Sequence, residues 1–333
     1  MLRGRVWQTQ LHFPVRRNLI AQPLHYIDGQ AMLLLTIWSE GTAFIAARQS
    51  ASRFLDWLAD FRIDFCSLPE IVARRLDDAM RSRFVLKIAY AYSHRKETYR
   101  TNEARLGCPL RQGYGMTEIG SALYVPVEAD FMTGSGSVGI PAAFREVKVV
   151  DDNGEPTAAG VTGEIRVRGR YMFSGYYKRP EANAAAIDAD GWLRTGDIGI
   201  RDEAGWFHYL GRRKDMVRRS SENISALEVE EVLRGVPGVV EAAVLPVPDE
   251  KRGEEVKAYL RLEEGRSSSD VSPEIVLDHC ERNLARFKVP RYLEYVADFP
   301  RTPGNKVRKA DLIGAKPDLR AGAFDAVEGR WRD

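Results

Sequence analysis

"AMLLLTIWSEGTAFIAA" (residues 31–47) decides the fold class. Residues 30 to 47 predict an apolar helix, a break at Ser39-Glu40-Gly41, and then a short buried strand, "TAFIAA". The greasiest part, "AMLLLTIW" (31–38), stops well short of the ~18 apolar residues that a membrane span needs. Working outward, "SRFLDWLADFRI" (52–63) sets Phe54, Leu55, Leu58 and Phe61 at helical spacing, and Asp64 leads into the apolar "FCSLP". Another helix is expected over "EIVARRLDDAM" (70–80), followed by the β-rich "RFVLKIAYAY" (83–92). Helix and strand in alternation predict α/β layers.

The 333 residues suffice for about two domains of roughly 150 residues each. Hydrophobic residues at 44% and charged residues at 29% are those of a globular chain. A net charge of +2 leaves no electrostatic footprint for nucleic acid or a membrane surface. Cys66, Cys108 and Cys280 are odd in number, far apart and without metal spacing, so they are expected as buried small hydrophobes in a reducing compartment. The first twenty residues contain no uninterrupted apolar core of a signal peptide, and the expected location is the cytoplasm.

From about 125 to 211 the turns thicken ("DDNG", "DADGW", "DEAGW") between alternating strands such as "EVKVV", "EIRVRG" and "GWFHYLG", which predicts a mostly antiparallel β subdomain. A third regime starts near Arg212. Ser225-Ala-Leu-Glu228 has the form of a capping box, and a small α+β domain follows, ending in what looks like a loose tail after "KADL". "TGSGSVGIP" (133–141) could cradle phosphate, but no lysine follows at once and a strand comes next, so a turn opening the β subdomain is the better expectation.

Four segments in register carry more: "GYGMTEIG" (113–120), "GWLRTGDIG" (191–199), "GRRKDMVRRSSENISALEVE" (211–230) and "PRTPGNKVRK" (300–309). "MFSGYYKRPEAN" (172–183) and "LARFKVPR" (284–291) join them. Together they resemble the adenylate-forming acyl-CoA synthetases, in wording most like the crotonobetaine/carnitine-CoA ligase branch. The resemblance implies the adenylate-forming α/β fold. The C-terminal part of a large AMP-binding domain would occupy 1–211, with its β subdomain, and a mobile small α+β domain 212–333. It implies a carboxylic acid-CoA ligase that uses ATP and Mg²⁺, forms an acyl-adenylate and passes the acyl group to coenzyme A. A nucleotide- or acyl-binding relative without turnover, and an adenylating domain that loads a carrier protein, are the alternatives. Nothing in the sequence names the acid or the oligomeric state.

By the same resemblance, Tyr114 lays its ring against adenine, with Gly113 at the substrate and Gly115 at the nucleotide. Thr117 bonds a phosphate oxygen and Glu118 is the Mg²⁺ ligand. Asp197 accepts from the ribose hydroxyls, and Arg212 forks onto ribose or phosphate. Lys214 is the hinge. Lys306 bridges the carboxylate and α-phosphate oxygens during adenylation, a task that suits a compact ammonium on a flexible stem. Arg308 and Lys309 are expected in solvent.

The sequence departs from the family's pattern in four places. No Ser/Thr/Gly-rich loop ending in Pro-Lys-Gly occurs, so the expectation is a chain lacking the family's first third, either a fragment of a longer gene or a shortened relative with impaired adenylation. Tyr26, after His25, stands where the family lines the acyl pocket. Ser221 replaces a glycine before Glu222, on the expected coenzyme A path. Asn305 replaces the glycine before the catalytic lysine.

Overall fold

The computed structural model describes residues 14–91, 94, 96–220, 222–302 and 306–333. The chain divides into two compact units, Met1–Tyr209 and Leu210–Asp333.

The first unit begins with strands β1 (Arg17–Ile20), β2 (Thr42–Ile45), β3 (Phe65–Leu68), β4 (Ile88–Ala91) and β5 (Leu110–Met116), paired in parallel in the order β2-β1-β3-β4-β5. Side chains along a strand alternate between its faces. Ile20, Phe65, Ile88 and Tyr90 accordingly pack with Met32 and Leu35 of the helix Ile27–Trp38. Leu19, Cys66, Ala89 and Ala91 point the other way, onto Phe54, Leu55, Leu58, Val72 and Leu106 of the helices Phe54–Asp60, Glu70–Ala73 and Tyr99–Leu106. Both faces are therefore covered, as a parallel sheet requires. The Asp64 carboxylate accepts the Arg16 and Arg17 amides at 3.0 and 2.9 Å, fixing where β1 enters.

Two local expectations are corrected. The helix expected over 70–80 breaks in two, because the Asp77 carboxylate accepts the amides of Ala79 (2.9 Å) and Met80 (3.0 Å) and starts a separate 3₁₀ segment, Asp78–Arg83. The strand in "TAFIAA" is not buried. β2 lies at the end of the sheet order with Thr42 and Ile45 exposed.

The sheet turns antiparallel at β5, which pairs β4 through Leu110–Gln112 and β6 (Gly120–Tyr124) through Gly113–Met116. It continues through β7 (Ser137–Pro141), β8 (Arg145–Val150), β9 (Gly163–Gly169), β10 (Leu193–Arg201) and β11 (Phe207–Arg212), in the order β6-β7-β11-β10-β9-β8. The expected turns close by one repeated device. Asp151 accepts the amide of Glu155 at 2.9 Å, Asp188 that of Trp192 at 2.8 Å and Asp202 that of Trp206 at 2.8 Å. "TGSGSVGIP" forms a turn that runs into β7, where the Ser137 hydroxyl donates to the Phe207 carbonyl at 2.8 Å.

In the second unit, strands β12 (Met216–Arg219), β13 (Glu222–Ser225), β14 (Val239–Asp249), β15 (Gly253–Leu262) and β16 (Tyr292–Tyr295) carry the helices Ala226–Leu233 and Pro273–Asn283 on one face. Val256, Ala258 and Leu260 meet Val229, Leu233, Val276 and Cys280 there. Of the expected capping box, only the serine half forms. Ser225 Oγ accepts the Glu228 amide at 3.1 Å, while the Glu228 carboxylate turns to Lys288 Nζ at 2.6 and 2.7 Å.

The expected loose tail is ordered structure. After the helix Lys309–Gly314, strands β17 (Phe324–Asp325) and β18 (Arg330–Trp331) add to β16. The buried Asp325 carboxylate accepts from Arg291 Nε (3.2 Å), Arg332 Nη1 (2.9 Å) and the amides of Val327 (3.0 Å) and Glu328 (3.3 Å). The fully buried Lys257 ammonium donates to Glu294 Oε2 at 2.6 Å and to the Leu319 carbonyl.

Candidate active site

Tyr114 lies on β5, three residues before the hairpin tip formed by Thr117, Glu118 and Ile119. Gly120 at φ 67° closes that tip as a left-handed residue. Gly115 cannot carry a side chain, since a Cβ there would lie 2.3 Å from the Gly120 carbonyl oxygen. Thr117 is exposed, Glu118 half-buried and Ile119 fully buried. The apolar residue anchors the tip and leaves the two polar ones at the surface.

Asp197 reaches the same region from β10. Arg194 pairs Arg166 and Ile198 pairs Glu164, so Thr195, Gly196 and Asp197 form a bulge opposite a single residue of β9. Gly196 takes φ 69°. The bulge is pinned by its own polar groups. Thr195 Oγ1 donates to the Ile165 carbonyl at 2.5 Å and accepts the Asp197 amide at 3.0 Å, and Glu164 Oε1 accepts the Gly196 amide at 3.1 Å. This geometry turns the Asp197 carboxylate inward, where Oδ2 accepts the Tyr114 hydroxyl at 2.6 Å. Burial first, and then the Asp197 charge, push the Tyr114 phenol well above its ordinary range. The phenol therefore donates throughout the neutral range. The Tyr114 ring lies 5.8 Å from that of Tyr209.

Glu118 has a partner that the sequence reading did not identify. The Tyr176 hydroxyl donates to Glu118 Oε1 at 2.8 Å, and the Glu118 carbonyl accepts the Phe173 amide at 2.7 Å. The segment "MFSGYYKRPEAN" is thus tied to the hairpin tip, and Asn183 holds it from behind by accepting the Tyr176 amide at 2.6 Å. Gly113 is half-buried on β5. Tyr26 is half-buried at the start of the helix Ile27–Trp38, its ring 4.7 Å from that of His25. Among the described residues no group of three or more His, Cys, Asp or Glu side chains is arranged to hold a metal. One carboxylate such as Glu118 still suits Mg²⁺, which is commonly held by one or two carboxylates together with substrate phosphates.

The remaining candidates belong to the second unit. Arg212 ends β11, and Lys214 is exposed in the 3₁₀ turn Arg213–Asp215. Just before them, the Leu210 carbonyl accepts from Ser225 Oγ, so the cap of the helix Ala226–Leu233 also holds this segment. Glu222 is exposed at the start of β13, and Ser221 lies outside the described residues, as does Asn305. Lys306 is exposed, with its amide donating to Thr302 Oγ1 at 3.2 Å. Lys309, expected in solvent, is half-buried. Its ammonium pairs with Glu230 Oε1 at 2.7 Å.

Residues 4–177 match the AMP-binding enzyme family, and residues 228–306 match the AMP-binding enzyme C-terminal domain. The chain belongs to the AMP-binding enzymes. This AMP-binding chain is 33% identical to a sulfoacetate–CoA ligase of Cupriavidus necator over 307 residues, 90% of the chain and 59% of that ligase. It is 32% identical to a crotonobetaine/carnitine–CoA ligase of Escherichia coli over 308 residues, 88% of the chain and 58% of that relative. Among solved structures, ATP-bound MatB of Rhodopseudomonas palustris superposes with a TM-score of 0.80 at 27% identity, covering 94% of this chain and 64% of MatB. The o-succinylbenzoate CoA synthetase MenE of Bacillus subtilis, in complex with its acyl-adenylate intermediate, gives 0.81 at 28%, covering 95% and 66%. The α/β fold is that of the adenylate-forming enzymes. The chain spans about three fifths of the length of the curated relatives it matches.

Proposed function

We propose that this AMP-binding chain takes part in ATP-dependent ligation of a carboxylic acid to coenzyme A through an acyl-adenylate, in the cytoplasm. The observation that carries the proposal is the inward-turned Asp197, held on a polar bulge and meeting Tyr114 from the Tyr-Gly-Met-Thr-Glu hairpin. An ionised carboxylate offers about four lone-pair sites. Asp197 can therefore keep the Tyr114 phenol on one oxygen while accepting from a ribose hydroxyl. Thr117, exposed at the tip, is placed to donate to a phosphate oxygen, and Tyr176 holds Glu118 in one orientation. Mg²⁺ at Glu118 would supply charge neutralisation on phosphoryl oxygens. Arg212 and Lys306 add positive charge for the nucleotide and the reacting carboxylate, Lys214 serves as the hinge, and Glu222 lies on the coenzyme A path. On this reading residues 1–211 are the C-terminal part of the AMP-binding domain, and residues 212–333 are its mobile C-terminal domain.

The deciding experiment is acid-dependent exchange of labelled pyrophosphate into ATP, with Mg²⁺ and a panel of short, aromatic, fatty, sulfonated and betaine acids. Exchange that disappears in Lys306→Ala supports the ligase reading, and the active acids define the pocket. A folded chain that binds AMP but exchanges nothing is instead a nucleotide-binding relative without turnover.

A further inference from the structure

Arg301 and Lys309, on either side of Lys306, are both tied to β14, Arg301 directly and Lys309 through Glu230 of the helix Ala226–Leu233. Upstream, the Arg301 guanidinium forks onto Glu241 of β14, with Nη1–Oε1 at 3.1 Å and Nη2–Oε2 at 2.7 Å. Arg261 Nε also donates to Glu241, at 3.2 Å. Downstream, Lys309 pairs with Glu230 Oε1 at 2.7 Å, and that oxygen accepts the amide of Val244, also in β14, at 2.8 Å. Between these ties the described residues on the two sides pair with each other. Arg301 bridges Val307, the Thr302 amide donates to the Lys306 carbonyl at 2.8 Å, and the Arg308 amide donates to the Pro300 carbonyl at 2.7 Å. Underneath, Phe299, Val307 and Leu312 pack on Ala243 and Leu245 of β14 and Tyr259 of β15.

We propose that Arg301 and Lys309 are positioning residues that fix, from both sides, the arm that carries Lys306. The inference rests on the reading of Lys306 given above. A lysine stem is flexible. An arm that carries it into a reacting geometry loses rate steeply with small misplacement, which gives the backbone beneath the lysine a reason to be fixed from both sides. Partly exposed ion pairs add little to stability. Their substitution should therefore appear in the arm before it appears in the folding of the unit.

The test uses the whole chain with Arg301→Gln, Lys309→Gln and the conservative Lys309→Arg. Three quantities are read: hydrogen exchange at the Thr302, Lys306 and Arg308 amides, pyrophosphate exchange, and thioester formation from a supplied acyl-adenylate. The glutamine variants are expected to exchange those amides about tenfold faster and to lose about tenfold in pyrophosphate exchange. Use of the supplied adenylate stays at the parent rate, and Lys309→Arg recovers both losses. Amides as slow as in the parent, freed amides with undiminished pyrophosphate exchange, or an equal fall in both half-reactions would each overturn the proposal. A parent chain without exchange, or Lys306→Ala with full exchange, overturns instead the reading of Lys306 on which it rests. That failure is distinguishable because the arm's amides would still respond to the glutamine variants.

Discussion

Cys66 and Cys280 are fully buried and Cys108 nearly so. Burial pushes the Cys66 thiol well up and those of Cys108 and Cys280 to about 12. A thiol must ionise to attack, so a disulfide dye at pH 8 is expected to leave the native chain unlabelled and to release three equivalents after unfolding. Rapid labelling of any one thiol in the native chain would contradict its place in the core. This much was legible, because the number and spacing of the cysteines already argued against pairing or metal. The environment of Lys309 was not. It looked like one of several basic residues after a turn, and its partner, Glu230, belongs to a helix far back in the chain. Tyr176 escaped for the same reason. Its hydroxyl finds Glu118, 58 residues earlier, and nothing in the intervening sequence marks the pair.

Elements built from neighbouring residues were the legible ones. The Asp-led turns at Asp151, Asp188 and Asp202 and the serine cap at Ser225 each close within a few residues, so composition alone revealed them. The segment after Gly314 closes on residues much earlier in the chain, and its two-residue strands carry no periodicity to read. It nonetheless controls an acid-sensitive element. Burial raises the Asp325 pKa, but the hydrogen bonds from Arg291, Arg332 and two amides outweigh it, leaving the carboxyl below its usual range. The stability it supplies is thus complete above the unfolded value of about 3.9 and is lost as pH falls through the lower folded one. The second unit is expected to weaken below about pH 4. Asp325→Asn should cost about 3 kcal/mol at neutral pH by leaving Arg291 and Arg332 around a neutral group, and should flatten the acid dependence. Urea unfolding followed between pH 3 and 7 checks this. An unchanged slope in the variant would remove Asp325 as the cause.

At the scale of the molecule, the α/β layering followed from the alternation of helix and strand, while the edge of the sheet did not. β2 looked like an interior strand because "TAFIAA" is apolar, yet it pairs with β1 at the end of the order. Ile45 is 50% exposed there, and Ile37 on the adjoining helix is 60% exposed. An exposed apolar edge invites pairing with another chain. Concentration-dependent association is therefore expected, and Ile45→Lys should reduce it without changing the unfolding free energy by more than about 0.5 kcal/mol. Light scattering over a dilution series reads the first, and a variant that associates as strongly as the parent would place the contact elsewhere.

The Tyr114–Asp197 hydrogen bond makes the chain its own optical indicator. A phenol that donates to a buried carboxylate absorbs differently in the near ultraviolet from one whose acceptor has been drawn away. A ligand hydroxyl that donates to the other oxygen of Asp197 weakens that carboxylate as the phenol's acceptor, and should therefore produce a tyrosine difference band whose amplitude follows occupancy, with no label and no turnover required. Tyr114→Phe should abolish the band, and a signal that survives in that variant would come from another ring.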